Sequence, residues 1–374
     1  MERIKKNFGF GCMRLPMQGE EVDTEQFSRM VDAFLEAGFN YFDTAHGYIS
    51  TKSEPAIREC LTSRYPRDSY ILTDKLTGSY FNQESDIRPF FQSQLDICGV
   101  DYFDFYLMHA QDADSFAKFK RCRAYETALE LKAEGRIRHV GISFHDTAGV
   151  LDQILTEYPQ VEVVQLQLNY VDWESNDVQS RLCYETAVRH GKRVLVMEPV
   201  KGGLLADIPE EAKALLKEAA PDASPASWAV RFAASLPNVA VVLSGMSNME
   251  QMEDNLSYMG QFQPLTDAEQ RVIQRVTEVI LSKAAIACTS CRYCVDGCPR
   301  KIAIPDYFKL VNNISKFGEA QRAEAKMSYR YRTEELRMGK ASDCVKCGKC
   351  EAACPQHLPI RELLVKVAEE FERQ

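Results

Sequence analysis

The sequence predicts an α/β protein: a closed (β/α)8 barrel over residues 1–262, a connecting helix over 263–283, and a smaller unit over 284–374. Three observations lead there. Short apolar runs alternate with longer stretches of helical period along the first 262 residues, as repeated βα units and a parallel sheet require. None of those runs is followed by the GxGxxG turn that opens a doubly wound sheet. Eight of the 13 cysteines fall into two runs near the C-terminus, which sets that region apart from the rest.

Eight strand candidates follow in order: 8–14, 41–45, 70–75, 102–109, 137–144, 163–169, 193–199 and 239–246. Amphipathic stretches lie between them, among them 25–37, 87–98, 125–134 and 178–190. After the last unit, LTDAEQRVIQRV (265–276) opens with Thr266 and places Glu269 three residues on, a capping box that starts a helix leaving the barrel. In a barrel of this kind the working site forms where the strands end, so reactive residues at those ends carry the most weight.

The composition limits the function. With 45% hydrophobic and 26% charged residues, and its 19 glycines and 15 prolines dispersed, the chain is neither fibrous nor disordered. A net charge of −9 disfavours a nucleic-acid partner or an anionic membrane surface. There is no apolar run of about 18 residues, and the N-terminal MERIKKNFGFGCMRLP does not read as a signal peptide, so a cytoplasmic protein is expected. Charge is unevenly spread: residues 284–374 carry net +4 and the preceding 283 residues net −13.

The two cysteine runs, Cys288, Cys291, Cys294, Cys298 and Cys344, Cys347, Cys350, Cys354, each have the form CxxCxxCxxxCP. That spacing lets three thiolates from one short loop reach one face of an iron–sulfur cubane while the fourth points away. Structural zinc takes its ligands in pairs, and disulfide scaffolds belong to oxidising compartments, so both suit the pattern less well. The runs resemble bacterial-type ferredoxins with two 4Fe-4S clusters, in which the fourth cysteine of each run serves the other cluster. The resemblance implies one cluster on Cys288, Cys291, Cys294 and Cys354, and a second on Cys344, Cys347, Cys350 and Cys298. The 45 intervening residues have helical character, which implies an α-helical ferredoxin-like variant. This region is expected to hold little apolar core of its own. A structural role and an electron-transfer role both stay open, and two clusters in one small unit favour electron transfer.

In the barrel, YFDTAHGY puts Asp43 at the end of the second strand and Tyr48 in the following loop; ILTDK ends the third strand with Lys75, and FYLMH ends the fourth with His109. Singly, each reads as packing; on three consecutive strand ends they suit carbonyl reduction, where hydride reaches carbon and a proton must reach oxygen. A phenol needs help to act as an acid near neutrality. Asp43 would hold Lys75 charged, Lys75 would tune Tyr48, and His109 would hydrogen-bond the substrate oxygen.

These residues resemble the Asp-Tyr-Lys-His tetrad of the aldo-keto reductases, a family of (β/α)8 TIM barrels. Further likenesses are VGISFHD (140–146), QLQLNY (165–170), MEPVKGGLL (197–205) and LSGMSNMEQMEDNL (243–256). The resemblance implies that Ser143 and Gln165 hold a nicotinamide carboxamide, and that Lys201, Gly203, Gly245, Ser247, Gln251 and Asn255 line the pyrophosphate and adenosine. Phe144 stands where many members have Asn, and Met197 where many have a stacking Tyr. Gly245 and Gln251 occupy places where basic residues often meet a 2′-phosphate, so NADPH and NADH both remain candidates.

The leading expectation is therefore an NAD(P)H-dependent oxidoreductase acting on a small carbonyl substrate, with two 4Fe-4S clusters and a one-electron donor or acceptor protein as partner. Two alternatives stand beside it: an electron-transfer or redox-sensing subunit using the barrel as a docking scaffold, and a flavin-dependent reductase fed by the clusters. Arg14, His46, Tyr80 and Trp173 are candidates for the substrate rim.

Overall fold

A computed structural model describes residues 1–373. Eight parallel strands, Phe8–Gly11, Tyr41–Asp43, Ile71–Leu76, Phe103–Gln111, Ile137–Phe144, Val163–Gln167, Arg193–Met197 and Val239–Ser244, close into a barrel in which the first pairs with both the second and the eighth. Several stop short of the expected ends: the first at Gly11, the sixth at Gln167, the seventh at Met197 and the eighth at Ser244. Beyond those points the chain leaves its neighbours to form rim loops. The fourth runs further, to Gln111, through a register shift at whose centre Ala110 has φ 52°. Such a bulge re-aims the chain immediately after His109.

Strand parity decides which residues reach the mouth. An inner apolar cluster includes Tyr41, Ile71, Phe105, Leu107, Val163, Leu195, Val241 and Leu243. Side chains alternate faces along a strand, so counting by twos from these residues gives Asp43, Lys75, His109 and Gln165 at the C-terminal end of the same inward face. Gly141 lies on that face where space runs out: a Cβ there would come within 2.5 Å of Val163 Cγ2 and 2.6 Å of Leu107 Cδ2. Outside the strands the helices bury an apolar layer that includes the contacting rings of Phe8, Phe10, Phe27, Phe34, Phe39 and Phe42.

The helix after the last barrel unit spans Asp267–Ser282, six residues beyond the expected end. Its start is the capping box read from the sequence: Thr266 N donates to Glu269 Oε2 at 2.8 Å, and Glu269 N to Thr266 Oγ1 at 3.3 Å. The chain divides into two compact units. The first comprises Met1–Trp173, Val178–Leu205 and Ala226–Gln270, and the second Glu174–Asp177, Ala206–Pro225 and the chain from Arg271 onward.

The cysteine-rich part of the second unit is helical, with Ile304–Phe317, Arg322–Arg330 and Ile360–Phe371. Contrary to the expectation of little apolar core, Ile302, Ile304, Tyr307, Phe308, Tyr329, Ile360, Leu364, Val367 and Phe371 are buried together with Cys294, Cys350 and Cys354. The amphipathic helices supply this core from outside the cysteine runs, where composition alone does not reveal it. Helix side chains also fix where each run begins. Buried Asn312 accepts from Ile286 N and donates to Ile286 O, both at 2.8 Å, two residues before Cys288. Tyr329 OH accepts from Ala341 N at 2.8 Å and donates to Glu372, three residues before Cys344. Among the described residues, no helix is long and apolar enough to cross a membrane.

Candidate functional site

The barrel mouth brings the four tetrad residues together. Lys75 Nζ lies 2.6 Å from Asp43 Oδ1 and donates to Thr44 O at 2.7 Å, with both side chains of the ion pair buried. The Tyr48 ring centroid is 4.8 Å from the same Nζ, and His109 approaches that ring edge-on at 6.0 Å. Tyr48 hangs from the loop after the second strand, and Ile49, Ser50 and Thr51 all adopt φ between 51° and 70°. For non-glycine residues this left-handed backbone costs of order 1 kcal/mol each, and three in succession mark a conformation imposed by its surroundings.

The electrostatics follow from burial and one cation. Burial disfavours the Lys75 ammonium, but the Asp43 carboxylate and the Tyr48 hydroxyl more than offset it, so Lys75 stays protonated. Tyr48 is pushed above the ordinary phenol value by burial, and Lys75 opposes that rise. Without substrate the phenol is therefore held neutral, a net direction opposite to the lowering expected from the lysine alone. Burial first, then Lys75 and His145, lower His109 to about 3, so its imidazole is neutral at physiological pH. Thr77 Oγ1 sits 2.6 Å from His109 Nδ1, a contact the sequence reading missed; its only signal was a hydroxyl two residues past Lys75.

Two of the expected nicotinamide contacts are adjacent. Ser143 and Gln165 are register partners on the fifth and sixth strands, and both are buried. Ser143 Oγ accepts from Ala110 N at 2.8 Å, which leaves its own O–H to donate, and Gln165 Nε2 donates to Asp43 Oδ2 at 3.0 Å. Asp43 thus joins Lys75 to Gln165, linking the buried ion pair to one of the two expected nicotinamide contacts. Phe144 is buried and Met197 half-buried on the neighbouring rim.

The remaining expected contacts are spoken for within the fold. Lys201 Nζ lies 2.5 and 2.6 Å from the two oxygens of Asp172. Gln251 Oε1 accepts from Ser247 N at 2.7 Å, and Ser247 Oγ donates to Arg14 O at 3.0 Å. Asn255 donates to Gln251 O and accepts from Tyr258 OH. The glycines differ: Gly202 and Gly203 have φ 66° and 104°, and a Cβ on Gly203 would meet no heavy atom within 4 Å. With Gly245 they form a cradle at the ends of the seventh and eighth strands, open at Gly203 and crossed by the Arg14 side chain at Gly202 and Gly245, which suits a ligand whose phosphates approach the backbone.

Behind the third strand lies a buried acidic pair absent from the sequence reading. Asp74 is raised well above the usual carboxylate range by burial and by Glu54. Glu54 is contacted by His46 Nδ1 at 2.7 Å and by Gln94 Nε2 at 3.2 Å. His46 packs edge-on against Tyr80 and Phe90, and Trp173 against Phe232.

In the second unit the eight clustered cysteines line two separate cavities. Cys288, Cys291, Cys294 and Cys354 surround one, with Ile304, Pro305 and Phe308. Cys298, Cys344, Cys347 and Cys350 surround the other, with Ile302 and Leu364. Each cavity takes three cysteines from one run and the fourth from the other, the same sets that the ferredoxin resemblance implies. Four thiols around a small apolar hollow fit a cubane. Burial pushes Cys294 up to about 12, so a thiolate there needs a compensating metal cation. Cys291 and Cys347 are exposed; Cys12, Cys60, Cys98, Cys122 and Cys183 are buried elsewhere.

Two family models match the chain, each over its own stretch of sequence. The model of the aldo/keto reductase family matches residues 7–278, and that of a 4Fe-4S dicluster domain matches 287–358. The chain is similar to the oxidoreductase YqkF of Bacillus subtilis, 25% identical over 308 residues, covering 74% of this chain and 94% of that protein. It is similar to an NADH-specific methylglyoxal reductase of Escherichia coli, 29% identical over 196 residues, which cover 47% of this chain and 57% of that protein. Among solved structures, the holo form of an aldo-keto reductase from Bacillus halodurans superposes with a TM-score of 0.59 at 27% identity, covering 72% of this chain and 91% of that one.

Proposed function

Because the chain belongs to the aldo/keto reductase family and carries a 4Fe-4S dicluster domain, we propose that its barrel reduces an aldehyde or ketone with NADH or NADPH, using Tyr48 as the proton donor. The observation that carries this reading is the buried Asp43–Lys75 pair set against the Tyr48 ring. A nicotinamide bound at the mouth would supply hydride to the carbonyl carbon. The carbonyl oxygen gains negative charge as this happens, and Tyr48 O–H transfers its proton there. Lys75, kept charged by Asp43, stabilises the phenolate left behind, so the ammonium that burial outweighs in the resting site gains strength as charge develops. Thr77 Oγ1 lies 2.6 Å from His109 Nδ1, and with Thr77 as the donor the neutral imidazole would present Nε2–H to the substrate oxygen. Ser143 and Gln165 would hold the carboxamide, and the glycine cradle would take the phosphates.

The eight cysteines would hold two 4Fe-4S clusters, Cys288, Cys291, Cys294 and Cys354 on one and Cys298, Cys344, Cys347 and Cys350 on the other. Cys291 and Cys347 give each site an exposed side that a one-electron donor or acceptor protein can approach. The relative named as an NADH-specific methylglyoxal reductase makes small aldehydes the first substrates to test.

Tyr48→Phe tests the barrel chemistry, because it deletes the proton donor and little else. Carbonyl turnover should fall by about 10²–10⁴-fold, with dinucleotide affinity, read by fluorescence titration, nearly unchanged. Wild-type turnover in this variant would remove Tyr48 from the mechanism.

A further inference from the structure

The phosphates of a dinucleotide need a cation, and the positions singled out in the sequence do not offer a free one. Lys201 is bound to both oxygens of Asp172, Gln251 caps Ser247, and Gly245 has no side chain. Arg14, in the loop after the first strand, fills the gap in space. Its Cβ, Cγ and Cδ run alongside Gly245, 3.4 to 3.6 Å from where a Cβ on that residue would stand. Its Nη2 reaches the seventh-strand loop, 3.4 Å from the corresponding point on Gly202. The side chain therefore spans from the loop after strand eight to the loop after strand seven, the pair that forms the phosphate site of many (β/α)8 barrels.

Three features fit Arg14 to bind an anion there. It is exposed, and among the described residues no carboxylate pairs with it, so its five donors are available. Its backbone is pinned, since its carbonyl accepts from Ser247 Oγ at 3.0 Å, which holds the guanidinium stem over the cradle. Neither glycine it crosses puts a side chain between the backbone and the guanidinium, and a Cβ at Gly202 would already stand in van der Waals contact with Nη2, 3.4 Å away. Guanidinium meets phosphate oxygens through paired, charge-assisted hydrogen bonds, which a surface lysine does not reproduce.

We propose that Arg14 is the residue that binds a phosphate of the nicotinamide dinucleotide, bridging the seventh- and eighth-strand loops. The proposal rests on the dinucleotide reading above, and it assigns to the first loop a duty that the family resemblance gave to the last two.

The test is equilibrium binding of NADH and of NADPH to the full-length protein purified anaerobically, for wild type, Arg14→Ala, Arg14→Gln and Arg14→Lys, with Tyr48→Phe as a control. Arg14→Ala and Arg14→Gln should weaken binding by about ten- to a hundredfold, the range for a lost charged hydrogen bond, and Arg14→Lys should recover part of it. Equal losses for both dinucleotides would place Arg14 on the pyrophosphate, and a loss confined to NADPH would place it on the 2′-phosphate; either supports the proposal. Affinities within twofold of wild type in the Ala and Gln variants, with unchanged thermal unfolding, would overturn it while leaving the dinucleotide reading intact. A wild-type protein that binds neither dinucleotide would overturn both.

Discussion

The barrel and the cysteine-rich unit build their sites by opposite routes. In the barrel, Asp43, Tyr48, Lys75 and His109 lie on different strands and loops, and they meet because strand parity and barrel closure bring every second residue to the same mouth. The scaffold there is complete without them, with an inner apolar cluster below and an aromatic layer outside. In the second unit the reactive residues are neighbours in sequence, and three of them, Cys294, Cys350 and Cys354, belong to the apolar core itself. A barrel site can therefore be altered with modest structural cost wherever no buried charge loses its partner, whereas a cluster site and its core stand together. On the proposed function the difference extends to the chemistry, with hydride and proton transfer assigned to the barrel and single electrons to the cysteine cavities.

The largest effect that sharpens this contrast is expected in the second unit. Cys354→Ala and Cys291→Ala should each lower iron from about eight to about four per chain and remove the same cluster, because the two cysteines line one cavity although they sit in different runs. Both should loosen the second unit and leave carbonyl turnover standing. Loss of different clusters, separable by their spectra, would break the ligand sets, and loss of turnover would break the independence of the two regions.

A second test asks how far the barrel tolerates change in its own buried charge. Both tryptophans, Trp173 and Trp228, fall in the first unit, so their fluorescence reports its unfolding alone. Lys75→Met leaves Asp43 buried without its cation and should destabilise that unit by about 3–5 kcal/mol, besides abolishing turnover. Adding Asp43→Asn should restore much of the stability and none of the activity. A single Lys75→Met variant as stable as wild type would show that the pair is solvated.

A smaller effect concerns pH. His109 is lowered from 6.5 to about 3, so between those values the unfolded chain binds a proton that the folded barrel refuses. Its contribution to stability is complete above about 6.5 and is lost as pH falls through that window towards about 3. His109→Gln removes this contribution, so denaturant midpoints compared at about pH 7 and about pH 4.5 should differ less in the variant than in wild type. Identical pH dependence would mean that His109 is solvated or already charged.

How much of this was legible in the sequence follows the same division. The eight strands and the tetrad could be read because a parallel strand declares itself as a compact apolar run and its last residue faces the mouth. Strand ends were overrun at 12–14, 44–45, 168–169, 198–199 and 245–246, since the rim loops carry buried residues such as Cys12, Ala45, Leu168 and Met246 that look like strand until their pairing is known. Thr77 on His109 and Arg14 across Gly202 and Gly245 were invisible as contacts, because each is a meeting between segments far apart in the sequence. In the second unit the cysteine spacing was plain, but Asn312 and Tyr329, which hold the starts of the two runs, act across 26 and 12 residues. The core of that unit was underestimated for a related reason: Tyr307, Phe308, Leu364 and Phe371 lie on helices outside the cysteine runs.

The claim that hydride chemistry and single-electron chemistry belong to different halves of the chain is most directly tested by one anaerobic spectrum. Protein carrying both clusters is given stoichiometric NADH or NADPH together with an aldehyde it reduces, and cluster and dinucleotide absorbance are followed at once. The account predicts that the dinucleotide is consumed while the clusters stay oxidised, and that they bleach only when a low-potential one-electron reductant is added afterwards. Rapid, stoichiometric bleaching of the clusters by dinucleotide alone would contradict it.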